Sequence, residues 1–127
     1  MSIFLALARN PKVFPNWAAR WHAARDHCIN IGGRLFEARS EFQFHQLLKI
    51  SAKLGVNLWL GARDEDEEGV WRWESDGALV DEERRFWAPG QPRVREIAGC
   101  LTVYPDTQQL NDAQCARSHV FACQYDD

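Results

Sequence analysis

Apolar residues recur along this chain with two different periods, and these periods predict an order of strands and helices. A short apolar segment at 3–7 predicts a strand. After it, apolar residues recur at alternating spacings of four and three, which places them on one helical stripe: Trp17, Trp21, Ala24, Cys28 and Ile31. Asn16 is the predicted N-cap of this helix, and Gly32-Gly33 ends it, because glycine readily adopts the left-handed conformation that closes helices.

A second amphipathic helix is predicted after Ser40, which forms a capping-box pattern with Gln43. Its apolar positions are Phe44, Leu47, Leu48 and Leu54, and Gly55 follows it. Four later apolar segments predict strands, at 58–61, 100–104, 110–115 and 119–124. With two helices followed by strands, the chain is predicted to adopt an α+β fold.

The residues between the first and second of these strands, 62–99, predict a long irregular loop. Apart from the short run 70–73 they have little periodicity and are rich in glycine, proline and charge. Long irregular stretches in compact domains are usually functional or disordered. Disorder is unfavourable here, because aromatic side chains within the stretch are costly to leave in water: Trp71, Trp73, Phe86 and Trp87.

Size and charge narrow the class of protein. The 127 residues predict one domain, 1–127, with a genuine core. A net charge of −3 with mixed signs gives no electrostatic case for nucleic acid or an anionic membrane. No segment reaches the roughly 20 apolar residues of a membrane span. The apolar start, 3–8, is too short for a signal peptide, so the chain is expected to be a mature form or to carry no export signal.

Cysteine usage favours structural disulfides. The four cysteines allow three pairings, and no CxxC spacing or histidine cluster suggests a zinc site. Disulfides in a small domain predict an oxidising, secreted or extracellular location.

Several short motifs occur in a fixed order along the chain. They are Trp21-x-x-Ala24-x-x-x-Cys28 with Gly32-Gly33-x-Leu35, Trp59-Leu60-Gly61, Glu68-Gly69-x-Trp71-x-Trp73, Phe86-Trp87-x-x-Gly90-Gln91-Pro92, Cys100, Leu110-Asn111-Asp112-x-x-Cys115 and Phe121-x-Cys123. This ordered set resembles the C-type lectin-like domain family over essentially the whole chain. The resemblance implies the short form of that fold, with two helices, small antiparallel sheets, a long loop at about 62–99, and two disulfides, Cys28–Cys123 and Cys100–Cys115. It also implies a binding module rather than an enzyme.

The resemblance further implies a calcium site, but the ligand set is incomplete. Gln91, Asn111 and Asp112 match three of the oxygen ligands, which suit a hard cation. Arg93 stands where an oxygen ligand is expected, and a guanidinium has only donors and a fixed positive charge. The fifth ligand position is Ala98, although Glu96 lies close in sequence. Calcium as a cofactor therefore stays an open expectation.

Arg93 admits two interpretations. It could replace the cation by pairing with Asp112 or Glu96, or it could point into solvent with the site lost. Gln91 leans towards a galactose-type preference within the family, but Arg93 departs from that rule. Trp87 is the aromatic residue nearest to the expected site and is a candidate for stacking on a sugar, although its family counterpart is usually buried.

Other charged groups are expected to be structural or solvated. Asp64 and Glu68 match an accessory calcium site of some family members, but a solvated acidic turn is favoured. Asp106 is expected in a solvated turn, His45 on a polar helix face, and a buried His119 in the last strand. No residue order suggests an activated nucleophile, so no catalytic residue is assigned.

The sequence thus predicts a non-enzymatic carbohydrate-recognition module that binds an extracellular glycan through the long loop. The predicted ligand-binding residues are Gln91, Arg93, Glu96, Asn111, Asp112 and Trp87. The candidate metal ligands among them are Gln91, Glu96, Asn111 and Asp112. The alternative is a calcium-independent protein-binding domain that uses the same surface. A side-to-side homodimer is plausible, because single sugar sites are weak and avidity compensates.

Overall fold

The computed structural model describes residues 12–13, 17–67, 69–80, 87, 99–106 and 109–125. The strand predicted at 3–7 lies outside these residues. Within them the chain forms two helices, α1 (Trp21–Asn30) and α2 (Glu41–Leu54). It also forms seven strands: β1 (Lys12–Val13), β2 (Gly33–Leu35), β3 (Leu58–Arg63), β4 (Arg72–Trp73), β5 (Gly99–Val103), β6 (Leu110–Gln114) and β7 (Val120–Tyr125). The predicted α+β class is confirmed.

The strands of the described residues form one mixed sheet in the order β1-β7-β3-β5-β6, with β2 pairing with β7 and β4 with β3. Neighbouring strands are antiparallel except β3 and β7, which run parallel, Leu58 opposite Val120 and Trp59 opposite Phe121. The antiparallel pairing that the family resemblance implies holds for the other described strand pairs, and this parallel pair makes the sheet mixed. A parallel pair needs a long connection, and the chain between β3 and β7 supplies it.

Helix α1 begins later than predicted. The expected start was at Asn16, which lies outside the described residues, but the helix begins at Trp21 and Arg20 is its N-cap. The backbone of Ala19 exchanges hydrogen bonds with His119 at 3.0 and 2.9 Å, which holds this segment extended against the last strand. Trp17 consequently lies outside the helix and is 44% exposed. The closing glycine is confirmed, because Gly32 has φ 90°.

Helix α2 confirms its predicted ends. The Gln43 amide donates to Ser40 Oγ at 3.1 Å, as the capping pattern requires. Gln43 Oε1 in turn accepts from the amide of Arg39, at 2.8 Å, and not from that of Ser40. Gly55 ends the helix with φ 67°. Phe44 and Leu47 turn inward and are buried.

The core consists of two clusters, one for each helix. The α1 cluster contains Trp21, Ala24 and Cys28, and the α2 cluster contains Phe44 and Leu47. Successive residues of the central strands contribute to the two clusters in turn, as Leu58, Trp59 and Leu60 do in β3 and Val120, Phe121, Ala122 and Cys123 do in β7. The sheet is thus buried on both faces, which explains why these strands are apolar throughout instead of alternating.

Both predicted disulfides are present. The helix disulfide, Cys28–Cys123, links α1 to β7, and the hairpin disulfide, Cys100–Cys115, closes the β5–β6 hairpin. Among the described residues no helix is long and apolar enough to cross a membrane.

Candidate functional site

Asn111 and Asp112 lie side by side on β6, the last strand of the sheet order. They pair with Thr102 and Leu101 of β5, so one side of this stretch of β6 is hydrogen-bonded. On the other side no described residue pairs with Asn111 or Asp112, and this side is an edge of the described sheet. Both residues are buried, at 4% and 3% exposure. Asn111 Nδ2 donates to the carbonyl of Gln109 at 3.1 Å, which orients the amide and leaves Oδ1 as the acceptor.

Adjacent strand residues point to opposite faces, and this places the two side chains on either side of the β6 edge. A Cβ atom built on Gly99 would lie 3.6 Å from Asp112 Cβ and 3.1 Å from the ring of Trp71, so Asp112 faces the side of the sheet that holds Trp71. Asn111 then faces the other side. Oxygen atoms from both could approach a common ligand only beside the strand, along its edge.

Two described residues of the long-loop region, Trp87 and Gly99, pair with β6. Trp87 forms a parallel bridge with Leu110, the residue immediately before Asn111. Gly99, where the loop ends, pairs with Gln114 on the same strand. The described residues on either side of 88–98 are therefore both attached to β6, one at each end.

Trp87 packs in the core instead of presenting its ring to a ligand. It is only 7% exposed, and its ring contacts Trp71 edge-on, with centroids 5.5 Å apart and planes at 60°. Trp71 and Trp73 are each 4% exposed and belong to the same cluster. The structure favours a packing role for Trp87 over the stacking role predicted for it, and the burial predicted for Trp71 and Trp73 is confirmed.

Asp64 connects the two ends of the loop region. Its Oδ1 accepts the amide of Gly99 at 2.7 Å and its Oδ2 accepts the amide of Gly69 at 3.0 Å. The residue is 5% exposed, so the expectation of a solvated acidic turn is wrong for Asp64. Both carboxylate oxygens already accept backbone N–H groups. Asp64 therefore stabilises the backbone at the base of the loop. Glu68 lies outside the described residues.

Three of the predicted ligand-binding residues, Gln91, Arg93 and Glu96, lie outside the described residues, as does Ala98. Their roles stay predictions. Asn111 and Asp112 supply an amide oxygen and a carboxylate, which are oxygen ligands of the kind that calcium prefers. The sequence adds Gln91 and Glu96 to this set, but it places arginine at 93 and alanine at 98. The fit to calcium is therefore partial.

The remaining polar residues partly confirm the expectation that they are structural or solvated. His45 is 60% exposed and lies 3.8 Å from Glu41 on the surface of α2, and Asp106 is exposed in a turn. His119 is partly buried, and its ring contacts Trp59 edge-on at 4.6 Å. Burial lowers the pKa of His119, and the charge of Arg117 lowers it further. Glu65 lies near both hairpin cysteines, but a disulfide leaves no thiolate to bind a metal.

Sequence reasoning missed a buried carboxylate at Glu37, which has no exposed surface. Glu37 Oε2 accepts the amide of Ser75 at 2.9 Å, and Oε1 accepts the Ser75 hydroxyl at 2.7 Å and Arg39 Nη1 at 3.1 Å. It thereby fixes the turn after β4 to the segment before α2. No local pattern marks Glu37, because Ser75, which donates to both of its carboxylate oxygens, lies far away in sequence.

A second missed feature is a charged network over Trp21. The guanidinium groups of Arg25 and Arg63 lie 5.4 and 5.2 Å from the Trp21 ring, in cation–π geometry. Glu65 accepts from Arg63 at 2.7 Å and lies 2.8 Å from His22 Nε2. Although burial raises the pKa of Glu65, the hydrogen bonds from Arg63 and His22 outweigh it, so the pKa is lowered. This network stabilises α1 against β3.

Comparisons with known proteins agree on one family. Residues 18–125 match the family model described as the lectin C-type domain. The chain is 29% identical to C-type lectin mosGCTL-7 of Aedes aegypti over 125 residues, which is 89% of this chain and 82% of that protein. It is 28% identical to salivary C-type lectin 2 of Aedes albopictus over 129 residues, 92% of this chain and 84% of that protein. The structure of TC14, a C-type lectin from the tunicate Polyandrocarpa misakiensis, shares the fold with a TM-score of 0.80 at 19% identity, covering 89% of this chain and 94% of that one.

Proposed function

The chain belongs to the C-type lectin family, a family of non-enzymatic carbohydrate-binding proteins, and we propose that it binds an extracellular glycan at the outer edge of β6. The observation that carries this proposal is the placement of Asn111 and Asp112. They are adjacent, buried and polar, and they lie on an edge strand between the residues that pair with Trp87 and Gly99. Polar residues are rarely buried without a structural or binding role.

The glycan would be held by hydrogen bonds. Asn111 Oδ1 is left as an acceptor by the bond that its amide nitrogen makes to Gln109. A sugar hydroxyl can donate to this oxygen, and the Asp112 carboxylate lies across the strand from it. Gln91 and Glu96 are proposed to complete the site from the loop, because Trp87 and Gly99, the described residues on either side of this segment, both pair with β6.

Calcium is proposed as an accessory to this site and not as a certain component of it. When bound, the ion would coordinate sugar hydroxyls directly, and Asn111 and Asp112 would hold it. The charge of Arg93 opposes a cation at this place. We propose that Arg93 pairs with Asp112 or Glu96, so that glycan binding has at most a weak requirement for calcium.

We propose an extracellular location for the chain. Two disulfides persist in oxidising environments, and the name of the Aedes albopictus relative describes a salivary lectin. A homodimer would raise the avidity of a single weak site, and this too stays a prediction.

The second candidate function is a calcium-independent protein-binding domain that uses the same surface. Arg93 and Ala98 favour it, because they remove two oxygen ligands from the family's site. Arginine is also enriched among the residues that dominate protein interfaces.

The experiment that separates these functions is calorimetry on metal-stripped protein, first with calcium and then with galactose and mannose. Glycan binding that is lost in Asn111→Ala and kept in Asn30→Ala, an exposed asparagine at the end of α1, supports the proposed site. Calcium affinity gained by Arg93→Asp would identify Arg93 as the block. The absence of binding to any glycan on a broad array, with or without calcium, would overturn the lectin function and favour a protein ligand.

A further inference from the structure

A polar cleft of about 240 Å³ lies outside the edge site, on the β5–β6 hairpin. We call it the hairpin cleft, and its lining residues are Asn57, Tyr104, Asp112, Ala113, Gln114, Arg117 and His119. It is somewhat smaller than the pockets of drug-sized ligands, which are about 300–1,000 Å³. Its size therefore suits one sugar ring or a single charged group.

The hairpin cleft opens on the face of the sheet opposite to Trp71. Ala113 packs against the α1 cluster, and the ring of His119 contacts Trp59 of that cluster at 4.6 Å. Asp112 precedes Ala113 on the strand and faces Trp71 instead. Asp112 therefore contributes its backbone to the wall of the cleft, while its carboxylate is directed to the other face.

Because the Asp112 carboxylate is directed away from the cleft, the side chains that line the cleft carry a positive charge. Arg117 is exposed, and among the described residues no carboxylate lies within ion-pair distance of its guanidinium. Its backbone is fixed by a hydrogen bond from its amide to the carbonyl of Gln114 at 3.1 Å. The charge of Arg117 acts on His119, since it contributes to the lowered pKa of that ring. An anion in the cleft would thus meet a guanidinium whose fork of donors is not occupied by any carboxylate of the described residues.

The neutral lining residues fit a sugar. Asn57 carries an amide that both donates and accepts, which suits hydroxyl groups. Tyr104 adds an aromatic ring with a polar tip, a combination that is common at wet binding surfaces. An inorganic ion would leave these groups unused.

We propose that the hairpin cleft is a second binding site of this chain, for a sugar that carries a carboxylate or a sulfate group, with Arg117 as the anion-binding residue. The site is separate from the β6 edge and needs no calcium. It rests on the proposed function only in that the ligand is a saccharide.

The test uses the folded protein in calcium-free buffer and follows its backbone amides and arginine Nε–H groups by NMR titration. The probes are glucuronic acid and N-acetylneuraminic acid for carboxylates, galactose 6-sulfate for a sulfate, galactose as the neutral sugar, and a short acidic peptide. Saturable shifts at Tyr104, Arg117 and His119 with an acidic sugar, and none with galactose, are expected. The two acidic classes show whether a carboxylate or a sulfate is preferred.

Variants assign the contact. Arg117→Gln should weaken binding of the acidic sugar by at least about tenfold, since a hydrogen bond to a charged group is lost. Arg72→Gln is the matched control, because Arg72 is an exposed arginine outside the cleft, and it should leave binding unchanged. The positions of the shifts also distinguish the two sites, because binding in the cleft shifts Arg117 and His119 whether or not the edge site binds anything.

Three results would overturn the proposal. Galactose could bind as tightly as the acidic sugars, or Arg117→Gln could bind them as well as the unchanged protein does. The acidic peptide could also bind as tightly as the sugars, which would show a site for charge alone.

Discussion

Replacing Asp64 by asparagine should loosen the base of the long loop. The carboxylate accepts two backbone N–H groups, from Gly99 at 2.7 Å and from Gly69 at 3.0 Å, and the residue is 5% exposed. Asparagine can offer one oxygen to one of these groups, but its NH₂ must then oppose the other. One hydrogen bond to a charged acceptor, worth about 1.5–3 kcal/mol, is lost, and the other becomes a weaker neutral bond. The expected loss in the free energy of unfolding is about 2–4 kcal/mol.

The assay for Asp64→Asn is denaturant unfolding with the disulfides intact, together with amide hydrogen exchange. The matched control is Asp26→Asn, whose carboxylate is 61% exposed and, among the residues that the structure describes, pairs only with Arg25 at 3.1 Å. The control should change stability by less than about 0.5 kcal/mol. Exchange at Gly99 should become faster in Asp64→Asn alone. Equal stability of the two variants, or an unchanged exchange rate at Gly99, would refute the role assigned to Asp64.

Three further predictions concern the disulfides, a histidine and a glycine. The helix disulfide spans 95 residues and the hairpin disulfide 15, so removing them by cysteine-to-alanine pairs should cost about 4.7 and about 3 kcal/mol in chain entropy; equal costs in denaturant unfolding would contradict this order. Because the folded pKa of His119 lies below its ordinary 6.5, stability should fall as pH drops through 6.5 and stop falling below the folded pKa. His119→Gln should lack this fall when thermal unfolding is measured against pH. Gly33→Ala would place a Cβ 2.4 Å from the carbonyl oxygen of Gln124, so it should lower Tm strongly, whereas Ala52→Gly on exposed α2 surface should lower it by only a few degrees.

Local rules predicted the elements whose causes are local. Ser40 and Gly55 bound α2 in the structure as in the sequence, because capping needs only neighbours within one turn. The start of α1 was predicted wrongly because the competing interaction is distant. Ala19 pairs with His119, a hundred residues along the chain, and only then is the extended backbone before Trp21 favoured over a longer helix.

The residues of the candidate site also fall into two groups, those marked by a local sequence motif and those whose partners are distant in sequence. Asn111 and Asp112 were found from a short motif, and the structure places them together on an edge strand. The carboxylates of Asp64 and Glu37 were misread or missed, because their burial depends on backbone amides and side chains from other parts of the chain. The hairpin cleft has the same origin, since Asn57, Tyr104 and Arg117 meet only after β3, β5 and β6 have paired.

The β5–β6 hairpin explains how one small domain could hold two binding sites of different chemistry. Its strand β5 is buried throughout and the hairpin is closed by a disulfide, so its backbone is a rigid support on which adjacent residues face opposite ways. Asp112 faces the loop side and would serve the edge site, whereas Ala113 and the turn that carries Arg117 face the cleft. A carboxylate on one face and a guanidinium on the other are thereby separated by the sheet. Strand β6 and the turn that follows it can thus present an acidic group to neutral hydroxyls and a basic group to an anion without the two neutralising each other.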